Sequence, residues 1–318
     1  MHAILIEADK SLAWKEVPDP QCGAGEVIIK IKAAALNRAD VLQREGQYPP
    51  PPGWPEWMGL ECAGVVETAA PGSRWHPGDK VCALLGGGGY AEKVKVPEGM
   101  VMPVPAGLSF AEAAALPEAF ATSYLNLFIE AKLKPEETIF IPAGASGLGI
   151  AAIQLAKSFG AKVITTISND AKAEAVRKLG ADIIVNRKTD DLLAVFDANP
   201  VHVAMDCAGG EMLGKCFEKM AIGGRWIMIA TLGGVSTTIN LRALLKRGIM
   251  LKGSTLRSRT NEMKTEILAQ LVRDVWPKIE SGALRPLVFA TFPMQQAEAA
   301  HEILNAQKNI GKVVLTLD

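Results

Sequence analysis

The chain has 318 residues, 49% hydrophobic and 21% charged, the balance of a globular protein too long for one ordinary core, so two domains are predicted. Basic and acidic side chains number 34 each, and the zero formal net charge excludes a general affinity for nucleic acid or an anionic membrane. No apolar run approaches the ~18 residues of a spanning helix, and "MHAILIEADK" reads as a first strand rather than a secretory signal. The five cysteines (Cys22, Cys62, Cys82, Cys207, Cys216) form no C-x-x-C pair and predict free thiols in a reducing cytoplasm.

In chain order, the first hundred residues carry short β-type runs: "EVIIKIKAAAL", "CAGVVETAA", "GDKVCALL" and "YAEKVKVP". Pro and Gly punctuate them, which predicts a mostly β module, a partly open barrel. "YPPPPGWPEW" at 48–57 is a stiff loop, because consecutive prolines fix an extended backbone. From Ser109 the spacing becomes helical, with Ser109 as N-cap and Glu112 three residues on. Strands and helices then alternate. Strands are predicted at 139–142, 163–167, 183–185, 203–206 and 226–230, and helices at 147–159 and 171–179. That rhythm implies a doubly wound parallel sheet. A long helix follows from Asn261, then "LRPLVFATFP", a helix in "MQQAEAAHEILNAQ" and the strand "GKVVLTLD". The closing strand has the texture of the N-terminal module and is expected to return to it.

"IFIPAGASGLGIAAIQLAKSFGAKVITT" at 139–166 reads as strand, tight turn, helix, strand. Gly144, Ser146, Gly147 and Gly149 keep the backbone bare, and the helix start offers unpaired N–H groups and a positive dipole end to a pyrophosphate. A tight turn without a ligand is the competing reading. The following strand ends near Thr166 and Ile167 with no acid to take ribose hydroxyls. Ser168, Asn169 and Lys172, with Arg187 after the third strand, would suit a 2′-phosphate. The expected cofactor is therefore NADPH, although Asp170 leaves NAD open.

The whole chain resembles the medium-chain dehydrogenase/reductase superfamily, and within it the zinc-free, zeta-crystallin-like NADPH:quinone oxidoreductases. The resemblance rests on "AAALNRADVLQREGQYPPPPG", "GLECAGVVE", "PGDKVCALLGGGGYAEKVKVP", "LPEAFATSYLNL", "AGASGLGIAAIQLAKSFGAKVI", "DCAGG", "GGRWIMIATLGG" and "NIGKVVLTL". It implies a Rossmann domain at 122–262 and a β-rich GroES-like catalytic domain at 1–121 that is completed by 263–318. Where zinc relatives carry ligands, this chain has Asn37, Leu60 and Glu118. Asn and Leu cannot replace a thiolate and an imidazole, so no metal is expected. Glu61 reads as a bystander to metal binding, with a carboxylate near the cleft that could help orient a neighbour.

The resemblance also implies that Asn37, Tyr48 and Thr122 line the nicotinamide and substrate cleft. A turn residue, a loop anchor and a helix packer are their plainer readings. It implies cofactor contacts at Gly144, Ser146, Gly147, Leu148, Lys172 and Arg187. Cys207, Ala208, Thr231 and Leu232 follow strand ends at the carboxyl edge of the sheet, where ligands lie in open α/β folds, and Lys312 is expected back at the cleft. The activity so implied is reduction of quinones by hydride transfer, in a homodimer joined through edge strands at "TTINL" or "IMLKGSTL". A 2-alkenal or enone reductase on the same scaffold, or an NADPH-binding protein with little catalysis, are the alternatives.

Overall fold

The structure, a computed structural model, describes residues 1–318. It divides into one unit made of Met1–Ala121 with Arg257–Asp318 and a second unit, Thr122–Leu256. The second boundary therefore falls after Leu256, not after 262 as expected. The reason is that Arg257 already packs against Tyr48 and Pro49 of the first unit.

The first unit begins with β1 (His2–Ile6) and β2 (Leu12–Glu16), an antiparallel pair. Its main sheet is built on β3 (Glu26–Ala35), which pairs antiparallel with β4 (Glu61–Ala69). Next come β5 (Lys80–Leu84), β6 (Lys93–Pro97) and β7 (Val101–Pro103), with β6 pairing the first half of β3. Val27, Ile29 and Ile31 are buried at the two-residue period of a strand. The glycine run at 86–89 seats the proline-rich loop. A Cβ on Gly86 would lie 2.7 Å from the Trp54 ring, and one on Gly88 would lie 2.9 Å from the Pro55 ring.

The helical stretch after Ser109 is not one helix. Ser109 caps Phe110–Ala114 in the expected capping box with Glu112. Pro117, which has no N–H to give, then opens a new helix, Pro117–Tyr124, and a π-helical turn follows over Leu125–Glu130.

The second unit holds β8 (Thr138–Ile141), β9 (Lys162–Ile167), β10 (Ile183–Asn186), β11 (Val201–Asp206), β12 (Met220–Met228) and β13 (Met250–Gly253). All pair parallel in the order β10-β9-β8-β11-β12-β13, the doubly wound order of a dinucleotide-binding sheet. Its core packs Phe140, Phe196, Phe217 and Trp226, with Phe140 and Phe196 edge to face at 5.1 Å. Of the two expected edge segments, only the one containing β13 is a strand. Residues 237–241 run as coil into the helix Leu241–Arg247, because the Asn240 side chain caps that helix.

The chain then returns to the first unit. The helix Asn261–Glu280 leads to β14 (Val288–Pro293), the helix Ala297–Asn305 and β15 (Lys312–Thr316). β15 pairs antiparallel with the second half of β3, so the closing strand lies where its texture placed it.

Candidate functional site

In the second unit the turn after β8 is built for close backbone approach. Ala143 has φ of 56°, and a Cβ on Gly144 would sit 2.1 Å from Thr165 Oγ1. Ser146 is the N-cap of the helix Gly147–Ser158, and its Oγ accepts the Gly149 N–H at 3.0 Å. Its carbonyl accepts the Ile150 N–H at 2.9 Å. The amides of Gly147 and Leu148 are left without an acceptor in the turn, at the positive end of a twelve-residue helix. This is a ready site for a pyrophosphate.

β9 ends at Ile167 without an acid, and Ser168 and Asn169 follow. Asp170, the group that left NAD open, accepts a hydrogen bond from Asn186 Nδ2 at 3.0 Å. Lys172 is buried, and burial depresses its ammonium pKa, with the neighbouring charge of Arg187 adding to the effect. Arg187 is exposed and makes no ion pair. The two cations expected to read a 2′-phosphate therefore lie close enough to feel each other.

The loops after β11 and β12 are tied together. The Leu232 N–H donates to Cys207 O at 3.2 Å and the Gly233 N–H to Ala208 O at 2.7 Å. Beneath them the buried carboxylate of Asp206 accepts N–H bonds from Ala208 and Gly209 and one from Trp226 Nε1 at 3.0 Å. Cys207, Ala208, Thr231 and Leu232 thus sit on one braced rim. Sequence reading did not find Asp206, whose indole partner lies twenty residues on.

In the first unit Asn37 stands at the N-cap of the helix Arg38–Arg44, in a capping box with Asp40. Its Nδ2 donates to Glu61 Oε1 at 2.9 Å and to Ala35 O at 3.3 Å, and its Oδ1 accepts from Lys312 Nζ at 2.7 Å. The Lys312 ammonium also donates to Leu36 O at 2.6 Å and lies 2.6 Å from Glu61 Oε1. Glu61 Oε2 accepts the Glu118 N–H at 2.8 Å. Glu61 is fully buried and is no bystander: it is the acceptor around which this cluster forms. Lys312 spends all three protons there, so it has none left for a cofactor phosphate in this arrangement, and both Asn37 donor hydrogens are engaged as well.

A zinc ion does not fit these residues. A lysine ammonium already lies on the carboxylate and the amide oxygen, Leu60 offers no donor, and no group of three or more His, Cys, Asp or Glu is placed to hold a metal.

Behind Asn37 lies Asp40, also fully buried. Its carboxylate accepts the N–H of Asn37 at 2.7 Å, that of Gly59 at 3.2 Å and the Tyr90 hydroxyl at 3.1 Å. Burial pushes its pKa up to about 6. Tyr90 in turn contacts His301 Nε2 at 3.4 Å.

Tyr48 is different. Its ring lies under the Arg257 guanidinium, and its hydroxyl makes no hydrogen bond within the protein. Burial, helped by the negative charge of Glu118, pushes its pKa up to about 12, so it is a hydrogen-bond donor at neutral pH. Thr122, the first residue of the second unit, is half-buried and gives its carbonyl to Asn126 Nδ2 at 2.7 Å.

Two family models match the chain: an alcohol dehydrogenase GroES-like domain over residues 23–106 and a zinc-binding dehydrogenase domain over 147–273. Quinone oxidoreductase of Rattus norvegicus is 28% identical over 95% of this chain and 91% of its own. Among solved structures, an NAD-dependent alcohol dehydrogenase superposes over the whole of both chains with a TM-score of 0.88 at 29% identity. The quinone oxidoreductase of Thermus thermophilus, solved with NADPH, does so with 0.84 at 29%. Its two domain types, its strand order and these relatives together show that the chain belongs to the medium-chain dehydrogenase/reductase family and is of the quinone-oxidoreductase type within it.

Proposed function

We propose that the protein is an NADPH:quinone oxidoreductase that works without zinc. The observation that carries this reading is the Asn37–Glu61–Lys312 cluster, whose fixed cation occupies the polar centre that a metal would need. An alcohol needs a Lewis acid or a base to manage its hydroxyl proton. A quinone does not, because its conjugated carbonyl is already electrophilic. The nicotinamide, when bound, supplies a hydride from C4. With one proton from solvent, that hydride would convert quinone to hydroquinone and leave NADP⁺.

The chain's own residues bind and orient. The Gly147 and Leu148 amides hold the pyrophosphate, with Ser146 shaping the turn. Lys172 and Arg187, with Ser168 and Asn169, hold the 2′-phosphate. Tyr48 donates its hydroxyl to the acceptor oxygen as charge grows there. Asn37 fixes the Glu61–Lys312 pair beside it rather than donating to the acceptor. In solution the protein is a homodimer paired through β13.

A steady-state screen with NADPH, o-quinones, p-quinones and enals tests this reading. Quinone reduction that survives exhaustive chelation is the expected result. Preferential reduction of enals would shift the reading to an enone reductase. NADPH binding without acceptor-dependent oxidation would make the protein a binder.

A further inference from the structure

Arg257 reaches back across more than two hundred residues of sequence to the tyrosine–proline loop. Its guanidinium carbon lies 3.8 Å from the centroid of the Tyr48 ring, a short cation–π distance. Nη2 donates to Pro49 O at 2.7 Å and lies 3.5 Å from Gly86 O. Nη1 is buried with no hydrogen-bond partner. One side chain thus clasps the loop at Tyr48–Pro49, reaches the glycine run on which that loop sits, and leaves the Tyr48 hydroxyl without a hydrogen-bond partner in the protein. An arginine held half-buried is costly unless its charge is used, since desolvation disfavours the charged form. Here Glu118 and the phenol itself are the groups that favour it.

We propose that Arg257 is the positioning residue for Tyr48, holding its ring by stacking and its loop by a carbonyl bond so that the hydroxyl meets the oxyanion of the reduced acceptor. This rests on the reading of Tyr48 as donor to a quinone or enone oxygen. The guanidinium does a second thing: its positive charge opposes the rise in the Tyr48 pKa and keeps the phenol a stronger donor. Lysine cannot replace it, because the flat guanidinium supplies the stack and an ammonium does not.

The consequence is non-additivity. If Arg257 acts through Tyr48, removing it matters only while the hydroxyl is there. We expect Arg257→Gln and Tyr48→Phe each to lower kcat about tenfold with NADPH affinity unchanged, and the double variant to be no slower than the slower single one. Arg257→Lys should behave like Arg257→Gln. Additive losses, or full activity in Arg257→Lys or Arg257→Gln, overturn the proposal.

A second arm needs no turnover. p-Nitrophenol is a stable mimic of a hydroquinone monoanion, and its phenolate is coloured. Bound to the protein with NADP⁺, it should ionise at lower pH than in solution, and this shift should be lost equally in Arg257→Gln, Tyr48→Phe and the double variant. Failure of the probe to bind the wild type, or a shift indifferent to Arg257, overturns the proposal. Should no quinone or enone be reduced while the probe follows this pattern, the proposed activity falls and the role of Arg257 stands. Should quinones be reduced while neither arm responds to Arg257, the activity stands and the proposal falls.

Discussion

The buried carboxylate of Asp40 and the imidazole of His301 sit at either end of the Tyr90 hydroxyl, and burial moves their pKa values in opposite directions, to about 6 and about 4. Asp40 holds its proton more tightly folded than unfolded. Its contribution to stability is therefore fully present below the unfolded value of about 3.9 and is lost as pH rises through about 6. His301 does the reverse: its contribution is present above the unfolded value of about 6.5 and is lost as pH falls through about 4. The two oppose each other in one window, so the wild-type profile hides both. Asp40→Asn, a carboxamide that stays neutral, exposes the Asp40 share. The stability of this variant relative to wild type should rise by up to roughly 2–3 kcal/mol between pH 4 and pH 7, measured by urea unfolding at each pH. A flat difference would show that Asp40 does not titrate there. Sequence reading reached few of these contacts. Asn37 and Tyr48 were legible as candidates because they sit in recognisable local runs. Their partners Glu61, Lys312 and Arg257 are brought by strand pairing and chain return across 24, 275 and more than two hundred residues. No local spacing encodes such contacts.

At the scale of elements, the glycine turn and its flanking strands were readable because every requirement lies within one strand–turn–helix. The edge of the sheet was readable only in part. Residues 237–241 and 249–256 have similar β-type composition, and what separates them is the Asn240 cap, which accepts the Arg242 N–H at 3.0 Å and starts a helix. The true edge, β13, has one neighbour, and all four of its residues are exposed. Two of them, Met250 and Leu251, are apolar, and Leu241 and Leu245 of the preceding helix are 63% and 79% exposed. An apolar edge of this kind invites a partner strand, and pairing with a second copy across a two-fold axis satisfies it. Leu251→Pro removes an amide donor there and should yield monomer or precipitate. Light scattering that finds the wild type monomeric at micromolar concentration would reject the dimer.

For the whole molecule, the proposed function divides the labour between the two units: the parallel sheet would hold the dinucleotide and the β-rich unit would receive the acceptor. Cofactor choice belongs to the first of these tasks. Lys172, after an acid-free β9, and Arg187, after β10, are neighbouring cations, and charge-assisted hydrogen bonds to a phosphate are strong. Replacing both by Ala should weaken NADPH binding at least tenfold and leave NADH nearly untouched, read by quenching of protein fluorescence. Equal losses would mean that these side chains do not read the phosphate. The central claim, metal-free hydride transfer from NADPH to a conjugated carbonyl, has a direct test in one turnover. Protein stripped of metal and loaded with NADPH is mixed with a quinone, and the nicotinamide absorbance is followed with unlabelled cofactor and with each of the two C4-deuterated stereoisomers. Decay should require the quinone, be unchanged by the stripping, and be slowed severalfold by deuterium in only one of the two positions. No quinone-dependent decay, or decay that appears only when zinc is restored, would contradict it.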